Sequence, residues 1–322
     1  ATIAVIVIHV TAPYIYQYGS ISMAQWNFYN VVDSFSRFAV PFFVMLSGAL
    51  LMNKEIQLAD FLKKRFVRIL IPFLFWSIVY SVYNYYKLNI ENKMNISAYV
   101  LDCFTNGASY HLWYIYMLIG LYLLIPILAK WIQTSSDSSI NYFILIWIVF
   151  LSIRFFEIPL HKDFTFTIFT GFTGYLVLGY YLANRNIKIS NAILIILALI
   201  ALLSTIVFTY ITPFRNGVFN GKYYDYLSLN VVLWSSVLFF IIRNINLVST
   251  AIVDKIKFLN QYSFGVYLIH VLVLDTFQLL HLNGASINPL VGTISTVIAC
   301  YCISFAIIWL LSRNKYIGSL IN

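Results

Sequence analysis

The stretch VVDSFSRFAVPFFVMLSGAL, residues 31–50, is apolar enough to cross a membrane, yet it carries Asp33 and Arg37. A charged side chain in hydrocarbon is costly unless it lines a polar cavity or meets a partner. Asp33 precedes Arg37 by about one helical turn, so the two side chains can pair on one helix face. The arginine therefore either lines a reaction cavity or serves only as the partner of Asp33.

The composition identifies a polytopic membrane protein. Hydrophobic residues make up 61% of the 322 residues and charged residues only 10%, with a mean hydropathy of +0.84, whereas soluble domains average about 25% charged residues. The net charge of +9 does not indicate a nucleic-acid partner, because the basic residues lie in short loops between apolar runs. The three cysteines form no pattern of metal ligands, and no metal is expected.

Apolar runs of about 20 residues predict an all-α integral membrane protein, a bundle of about ten transmembrane helices. We expect the spans at 1–18, 31–52, 69–88, 111–131, 139–157, 167–184, 190–212, 227–243, 259–280 and 287–311. The connections are too short to hold a further domain, so residues 1–322 are interpreted as a single transmembrane domain. Because the sequence begins in an apolar run without an initiator Met, we expect the native N-terminus to lie upstream.

The basic residues predict the orientation of the chain in the bilayer. Thirteen Lys and Arg residues lie at one set of alternate span ends and six at the other, and Arg37 completes the total of 20. Loops rich in Lys and Arg stay in the cytoplasm. This assignment places the richer set and both termini in the cytoplasm.

His9 is the first polar residue that suggests chemistry. At about 1.5 Å per residue, His9 lies about 13 Å and Arg37 about 9 Å from the outer face. Adjacent antiparallel helices would bring the two together around a cavity in the outer half of the membrane. An imidazole can take a proton from a hydroxyl near neutral pH, and a buried guanidinium can stabilise an oxyanion. The alternative is that His9 only bonds a neighbouring helix.

A basic segment, LADFLKKRFVRILIPF at residues 58–73, precedes the third expected span. Either Lys64 or Arg65 shares a helix face with Arg68 at the cytoplasmic mouth of that span. Arginine side chains bind phosphate bidentately, so this face suits the phosphates of a coenzyme A thioester. The residues by themselves favour the alternative, in which the cluster is a topology signal or contacts lipid headgroups.

Two further histidines lie in or beside apolar runs. His111 and Trp113 stand where the fourth expected span leaves the outer surface, and their spacing alone favours an aromatic belt with a solvated histidine. His270 lies near the middle of the ninth span, and Asp275 follows it by five residues. That spacing turns the two side chains about 140° apart, so it argues against a relay within one helix. His270 is interpreted as a helix–helix contact.

Two other patterns predict local contacts. Arg154 and Glu157 are three residues apart at the end of the fifth expected span and are expected to form an ion pair. Ser47–Gly48 and the run GFTGYLVLGYYLA at 171–183 are typical of small-residue surfaces for helix packing. A nucleophilic role for Ser47 is disfavoured.

Five segments together resemble the acyltransferase-3 family of membrane acyltransferases, in the order and with the ten-span plan of that family. They are IAVIVIH (3–9), SRFAVPFFVMLSGALLM (36–52), RFVR (65–68), HLWYIYMLIGLYLLIP (111–126) and SFGVYLIH (263–270). None is specific alone, and they are spread over most of the chain. The family also has an arginine upstream of its first-span histidine, at a position that would fall before Ala1.

The resemblance implies an enzyme that moves an acyl group, usually acetyl from acetyl-CoA, to a hydroxyl of an extracytoplasmic cell-envelope sugar. Acetyl-CoA would be a co-substrate, with no permanently bound cofactor. The acceptor would be an envelope polysaccharide or a lipid-linked sugar. The short loops resemble stand-alone surface-glycan O-acetyltransferases of the bacterial cytoplasmic membrane.

The resemblance also suggests roles for individual residues. His9 matches the family's catalytic histidine and would act as a general base or as a transient acyl carrier. Arg37, held by Asp33, would stabilise charge on the thioester or acceptor oxygen. The donor phosphates would lie near a basic set, and the substrate near two residues of the fourth span. The basic set is Lys64, Arg65 and Arg68, and the fourth-span pair is His111 and Trp113.

The main alternative function is that of a transporter or flippase for an envelope glycan. Ten spans with intramembrane His, Arg and Asp residues would also suit such a protein. Transporters often contain inverted repeats with broken helices in matched halves, and the sequence shows no such internal symmetry. A third alternative is a non-catalytic subunit of a polysaccharide assembly machine.

Overall fold

The computed structural model describes residues 1–92, 95–161, 171–215, 218–245, 249–282 and 288–321. The chain divides into two compact units. One consists of Ile3–Ile56 and Leu124–Asn246 together with Ala1, and the other of Gln57–Leu123 and Leu247–Asn322 together with Thr2.

The described residues are mostly helical. The α-helices are α1 (Thr2–Ile15), α2 (Met23–Ser36), α3 (Ala39–Leu51), α4 (Leu58–Asn92), α5 (Ile96–Asn106), α6 (Trp113–Thr134), α7 (Asp137–Phe155), α8 (Thr173–Asn184), α9 (Asn191–Ile211), α10 (Leu229–Arg243), α11 (Thr250–Asn260), α12 (Ser263–Leu279), α13 (Pro289–Ser312) and α14 (Lys315–Ile321). Two short 3-10 helices span Tyr110–Leu112 and Gly221–Tyr224. The strands β1 (Phe214–Arg215) and β2 (Val218–Phe219) form one antiparallel hairpin.

The helices establish a multi-pass membrane protein. Seven described helices are long and apolar enough to cross a membrane, and the number is eight if α11 and α12, bent by 55°, form one span. The expected spans 1–18 and 167–184 contain helices of only 14 and 12 residues, whereas a span needs about 20. Residues 167–170 and residue 287 of the expected spans lie outside the described residues. Ten spans and cytoplasmic termini therefore stay predictions.

The expected second span differs most from its prediction. The helical segment starts at Met23 rather than near residue 31, and it is interrupted at Arg37 and Phe38 between α2 and α3. Pro41 explains the interruption, because proline has no N–H to donate to the carbonyl of Arg37 and its ring clashes with that carbonyl. Arg37 thus lies at a break between two helices and not in the interior of a continuous one.

Close packing of α3 against α8 lies at the centre of the first unit. A Cβ atom on Gly48 would collide with the backbone of Leu176, and one on Gly179 would collide with the backbone of Met45. Glycine therefore allows the two helix backbones to touch. The prediction that Gly48 and the 171–183 run form a small-residue packing surface is confirmed.

In the second unit, α12 packs against α13 and α4. The hydroxyl of Tyr80 on α4 donates to the carbonyl of Leu268 on α12 at 2.8 Å. The indole N–H of Trp76 points to the carbonyl of Ile321 at 3.5 Å. These contacts join the middle of the long helix α4 to the C-terminal helices.

Candidate active site

An ion pair between Arg37 and Asp33 is the most deeply buried charge pair that the structure describes. The Asp33 side chain is fully buried and the Arg37 side chain is 14% exposed. The Nε of Arg37 donates to Asp33 Oδ2 at 2.6 Å, and its Nη2 donates to the same oxygen. The spacing of four residues within and just beyond α2 sets this geometry, as expected from the sequence. Asp33 therefore fixes the orientation of the guanidinium.

Thr11 connects the first helix to this pair. Its buried hydroxyl lies 3.0 Å from Asp33 Oδ1, across the α1–α2 interface, and 2.9 Å from the Val7 carbonyl of its own helix, so its one proton is shared between the two acceptors. His9 is partly exposed and precedes Thr11 by two residues. Because residues on an α-helix turn by about 100° each, His9 lies on the opposite side of α1 from Thr11. The part of α1 that contacts the ion pair is thus Thr11, and the meeting of His9 with Arg37 stays a prediction.

The segment Gly221–Ser228, between the hairpin and α10, covers the other side of the guanidinium. Arg37 Nη1 donates to the carbonyl of Tyr224 at 3.4 Å, and the guanidinium carbon lies 4.4 Å from the centre of the Tyr224 ring. The Tyr226 ring lies 5.9 Å away. The Tyr224 hydroxyl in turn donates to Asn30 Oδ1 on α2 at 2.5 Å. These cation–π and hydrogen-bond contacts bind the segment to α2.

The residues predicted to bind the phosphates of the acetyl donor lie on the first turns of α4. Lys64 and Arg68 are exposed, while Arg65 is partly buried with its guanidinium 5.9 Å from the Phe61 ring. The cavity beside Arg65 has a volume of about 10 Å³, which is about the space for one water molecule. This cavity is too small for a phosphate group, so the contact of these residues with a donor phosphate stays a prediction for the exposed face of α4.

His111 and His270 come together in the second unit, which the sequence did not predict. Their ring centres are 5.3 Å apart, and the Tyr80 ring lies 5.0 Å from that of His111. His111 is only 1% exposed, so the interpretation of a solvated histidine is wrong. Trp113, the other predicted substrate residue, is 41% exposed.

The hydrogen bonds of His111 determine which of its ring nitrogens carries the proton when the ring is neutral. A carbonyl oxygen only accepts, so Nε2 carries the proton that is shared with the Leu268 carbonyl at 3.3 Å. Nδ1 then accepts from the hydroxyl of Ser109 at 3.0 Å. The Tyr267 hydroxyl donates to the His111 carbonyl at 2.5 Å. These contacts hold the His111 ring between α12 and the start of α6.

The expected ion pair between Arg154 and Glu157 is wrong. Arg154 instead pairs with Asp225 at 2.5 Å, and Glu157 pairs with Arg215 at 2.5 Å and with Lys222 at 2.9 Å. The helix α7 ends at Phe155, and Glu157 has a positive φ of 53°, which turns it out of helical register. The hydrogen bonds from Arg215 and Lys222 lower the pKa of the Glu157 carboxyl to about 2.

Sequence reasoning missed Thr11, Asn30 and the two tyrosines around Arg37. A threonine inside an apolar run is ordinary, so Thr11 carried no signal. The stretch KYYDYLS at 222–228 did carry one, because three tyrosines and an aspartate precede an apolar helix. Which of these side chains meets Arg37 depends on how the chain folds back over α2.

A family model described as an acyltransferase domain matches residues 1–313. Among curated proteins and among solved structures, nothing matches the chain significantly.

Proposed function

Because the chain belongs to the acyltransferase-3 family of membrane acyltransferases, we propose that it moves an acetyl group from cytoplasmic acetyl-CoA to a hydroxyl of an extracytoplasmic cell-envelope sugar. The proposed location is the cytoplasmic membrane of a bacterium, with both termini in the cytoplasm. The acceptor is an envelope polysaccharide or a lipid-linked sugar.

The observation that carries this proposal is the buried polar chain from Thr11 through Asp33 to Arg37. A fixed guanidinium in a low-dielectric site stabilises a developing negative charge without a cost of reorientation. In the proposal, Arg37 stabilises charge on the thioester or acceptor oxygen. Asp33 and Thr11 are positioning residues, because they act through Arg37.

The remaining roles follow from the chemistry of each residue. His9 acts as the general base for the acceptor hydroxyl or accepts the acetyl group transiently. In the direct route, the acceptor oxygen forms the new ester bond, the thioester bond breaks, and the proton passes to His9 while coenzyme A leaves as thiolate. Arg65, Arg68 and Lys64 hold the coenzyme A phosphates, and the acceptor contacts the exposed Trp113, two residues after the buried His111.

The test uses full-length protein in lipid nanodiscs with acetyl-labelled acetyl-CoA and an extract of cell-envelope glycans. Thioester loss and label on the protein are followed for the wild type and for His9→Ala. His161→Ala is the matched control, because His161 is an exposed loop histidine. We expect thioester loss in the wild type and the control, and none above background in His9→Ala.

Label on the wild-type protein before glycan is added would identify a covalent acyl carrier, whereas label that reaches glycan without first appearing on the protein would favour direct transfer. Thioester loss by His9→Ala at the wild-type rate would reject His9 as the catalytic residue. A wild-type rate equal to background with the glycan extract present would reject acyl transfer and favour a glycan transporter.

A further inference from the structure

A cavity of about 310 Å³ lies in the first unit, where α7 ends and α10 begins. Among the described residues, its charged lining consists of Arg154, Arg215, Lys222, Glu157 and Asp225. In this described lining three cations face two carboxylates, which leaves one positive charge in excess. The volume is at the lower end of the range of about 300–1,000 Å³ that is typical of small-ligand sites. The cavity therefore suits one small anionic unit.

The ion pairs in this cavity are open to replacement by a ligand. The side chains of Arg154 and Arg215 are 50% and 59% exposed, and those of Glu157 and Asp225 are 43% and 38% exposed. Pairs as exposed as these contribute little to stability. An incoming anion can thus take over the guanidinium groups, which bind planar anionic oxygens in a bidentate manner.

The cavity is joined to Arg37 by the segment Gly221–Ser228. Lys222 and Asp225 of this segment line the cavity, while Tyr224, between them in sequence, contacts Arg37 through its carbonyl and its ring. An anion bound at Lys222 is therefore separated from the candidate active site by one short stretch of backbone. The positive-inside rule assigns this end of α7 and α10 to the outer face.

We propose that this cavity binds the anionic group of an acidic sugar unit in the acceptor, with Arg154, Arg215 and Lys222 as its ligands. This inference rests on the proposed function and adds to it the class of acceptor, a glycan that carries carboxylate groups. Apolar contact comes from Phe155, over whose ring Lys222 lies at 5.4 Å. Glu157 competes with the ligand for two of the three cations.

The test measures binding directly and does not depend on acyl transfer. Wild-type protein in nanodiscs of neutral phosphatidylcholine is titrated with a disaccharide that contains glucuronic acid, and separately with a glucose disaccharide. We expect saturable binding of the acidic disaccharide that weakens with added salt, and tighter than that of the neutral one.

Two variants should shift the affinity in opposite directions. Arg215→Ala removes a ligand and should weaken binding about tenfold, as expected for loss of one charge-assisted hydrogen bond. Glu157→Gln releases Arg215 and Lys222 from their partner and should strengthen binding. Misfolding would weaken binding in both variants, so a gain in Glu157→Gln separates the proposal from a structural effect. Lys188→Ala, an exposed cation outside the cavity lining, is the control and should bind as the wild type.

Three results would overturn the proposal. They are equal affinity for the acidic and neutral disaccharides, weaker binding by Glu157→Gln, and loss of acidic-disaccharide binding when phosphatidylglycerol replaces part of the phosphatidylcholine. The last result would assign the cavity to an anionic lipid headgroup. Binding with the expected pattern but without thioester turnover would leave this site in place and reject only the acyltransferase activity.

Discussion

Thr11 on the first helix donates a hydrogen bond to the Oδ1 of Asp33, whose other oxygen accepts two hydrogen bonds from Arg37. Both Thr11 and Asp33 are fully buried. The carboxylate therefore has a hydrogen-bond donor on each oxygen, and α1 is joined to the break between α2 and α3 by a polar contact.

Removal of the Thr11 hydroxyl should destabilise the protein. Thr11→Val keeps the shape of the side chain but leaves Asp33 Oδ1 without this donor, which costs about 1–3 kcal/mol for a buried polar group. We expect a lower Tm in thermal unfolding of the protein in detergent micelles. Thr105→Val is the control, because within the described part of the chain the exposed Thr105 hydroxyl bonds only its own helix, at the Leu101 and Asp102 carbonyls. Equal Tm values for the two variants would contradict the importance of the contact.

A methyl group at Gly179 should disrupt the packing of α3 against α8. In Gly179→Ala the new Cβ meets the backbone of Met45, and overpacking of this kind costs about 1–3 kcal/mol. Gly120→Ala is the matched control, because no atom of the described residues lies within 4 Å of a Cβ at that helical position. Alanine is the better helix former by about 1 kcal/mol, so the control should unfold at the same or a higher temperature. A Gly179→Ala variant as stable as the wild type would show that α3 and α8 separate easily.

Lysine at positions 65 and 68 of α4 should bind acetyl-CoA less tightly than the native arginines do. Arg65→Lys and Arg68→Lys each keep the charge but lose the planar fork, so we expect the KM for acetyl-CoA to rise about tenfold. Acetyl-pantetheine, which lacks the phosphates, should be used equally by wild type and variants. Lys63→Arg serves as the control, because this exposed neighbour is not among the predicted donor residues. An equal rise in KM for both donors would exclude a phosphate contact.

The lowered pKa of Glu157 predicts how its ion pairs with Arg215 and Lys222 respond to pH. Its pKa is lowered to about 2 from an ordinary value of 4.5 by hydrogen bonds from Arg215 and Lys222. A lowered pKa means that the stabilisation is complete above the ordinary value and is lost as the pH falls toward 2. The difference in Tm between the wild type and Glu157→Gln should therefore be small, because the pair is exposed, constant from pH 5 to pH 8, and lost below about pH 4. Glu55→Gln, at an exposed carboxylate, controls for the change of charge, and a Glu157→Gln difference that grows as the pH falls would contradict the assignment.

Features that depend on a single helix were predictable from the sequence. The pairing of Arg37 with Asp33 follows from their spacing, and the small-residue surface at Gly48 follows from residue size. Features that depend on where a helix ends, or on contact between helices that are distant in sequence, were not predictable. Glu157 lies just beyond the end of α7, where its positive φ breaks the helical spacing on which the pairing with Arg154 relied.

The burial of His111 could not be predicted from its position in the sequence either. His111 stands at the end of an apolar run, which by itself indicates contact with water. The structure buries it because α12 packs over it and provides the Leu268 carbonyl as an acceptor. Nothing in the local sequence of His111 specifies that neighbour, since the two residues are 157 positions apart.

The glycines of α3 and α8 also limit the route that an acyl group can follow. Where Gly48 and Gly179 bring the two backbones together, no layer of side chains lies between the helices. Water molecules or an acyl chain can pass between two helices only where side chains hold the backbones apart, and a proton needs polar side chains or water there. At these levels the α3–α8 contact is therefore a seal, and any passage for the acyl group has to lie along other helix faces.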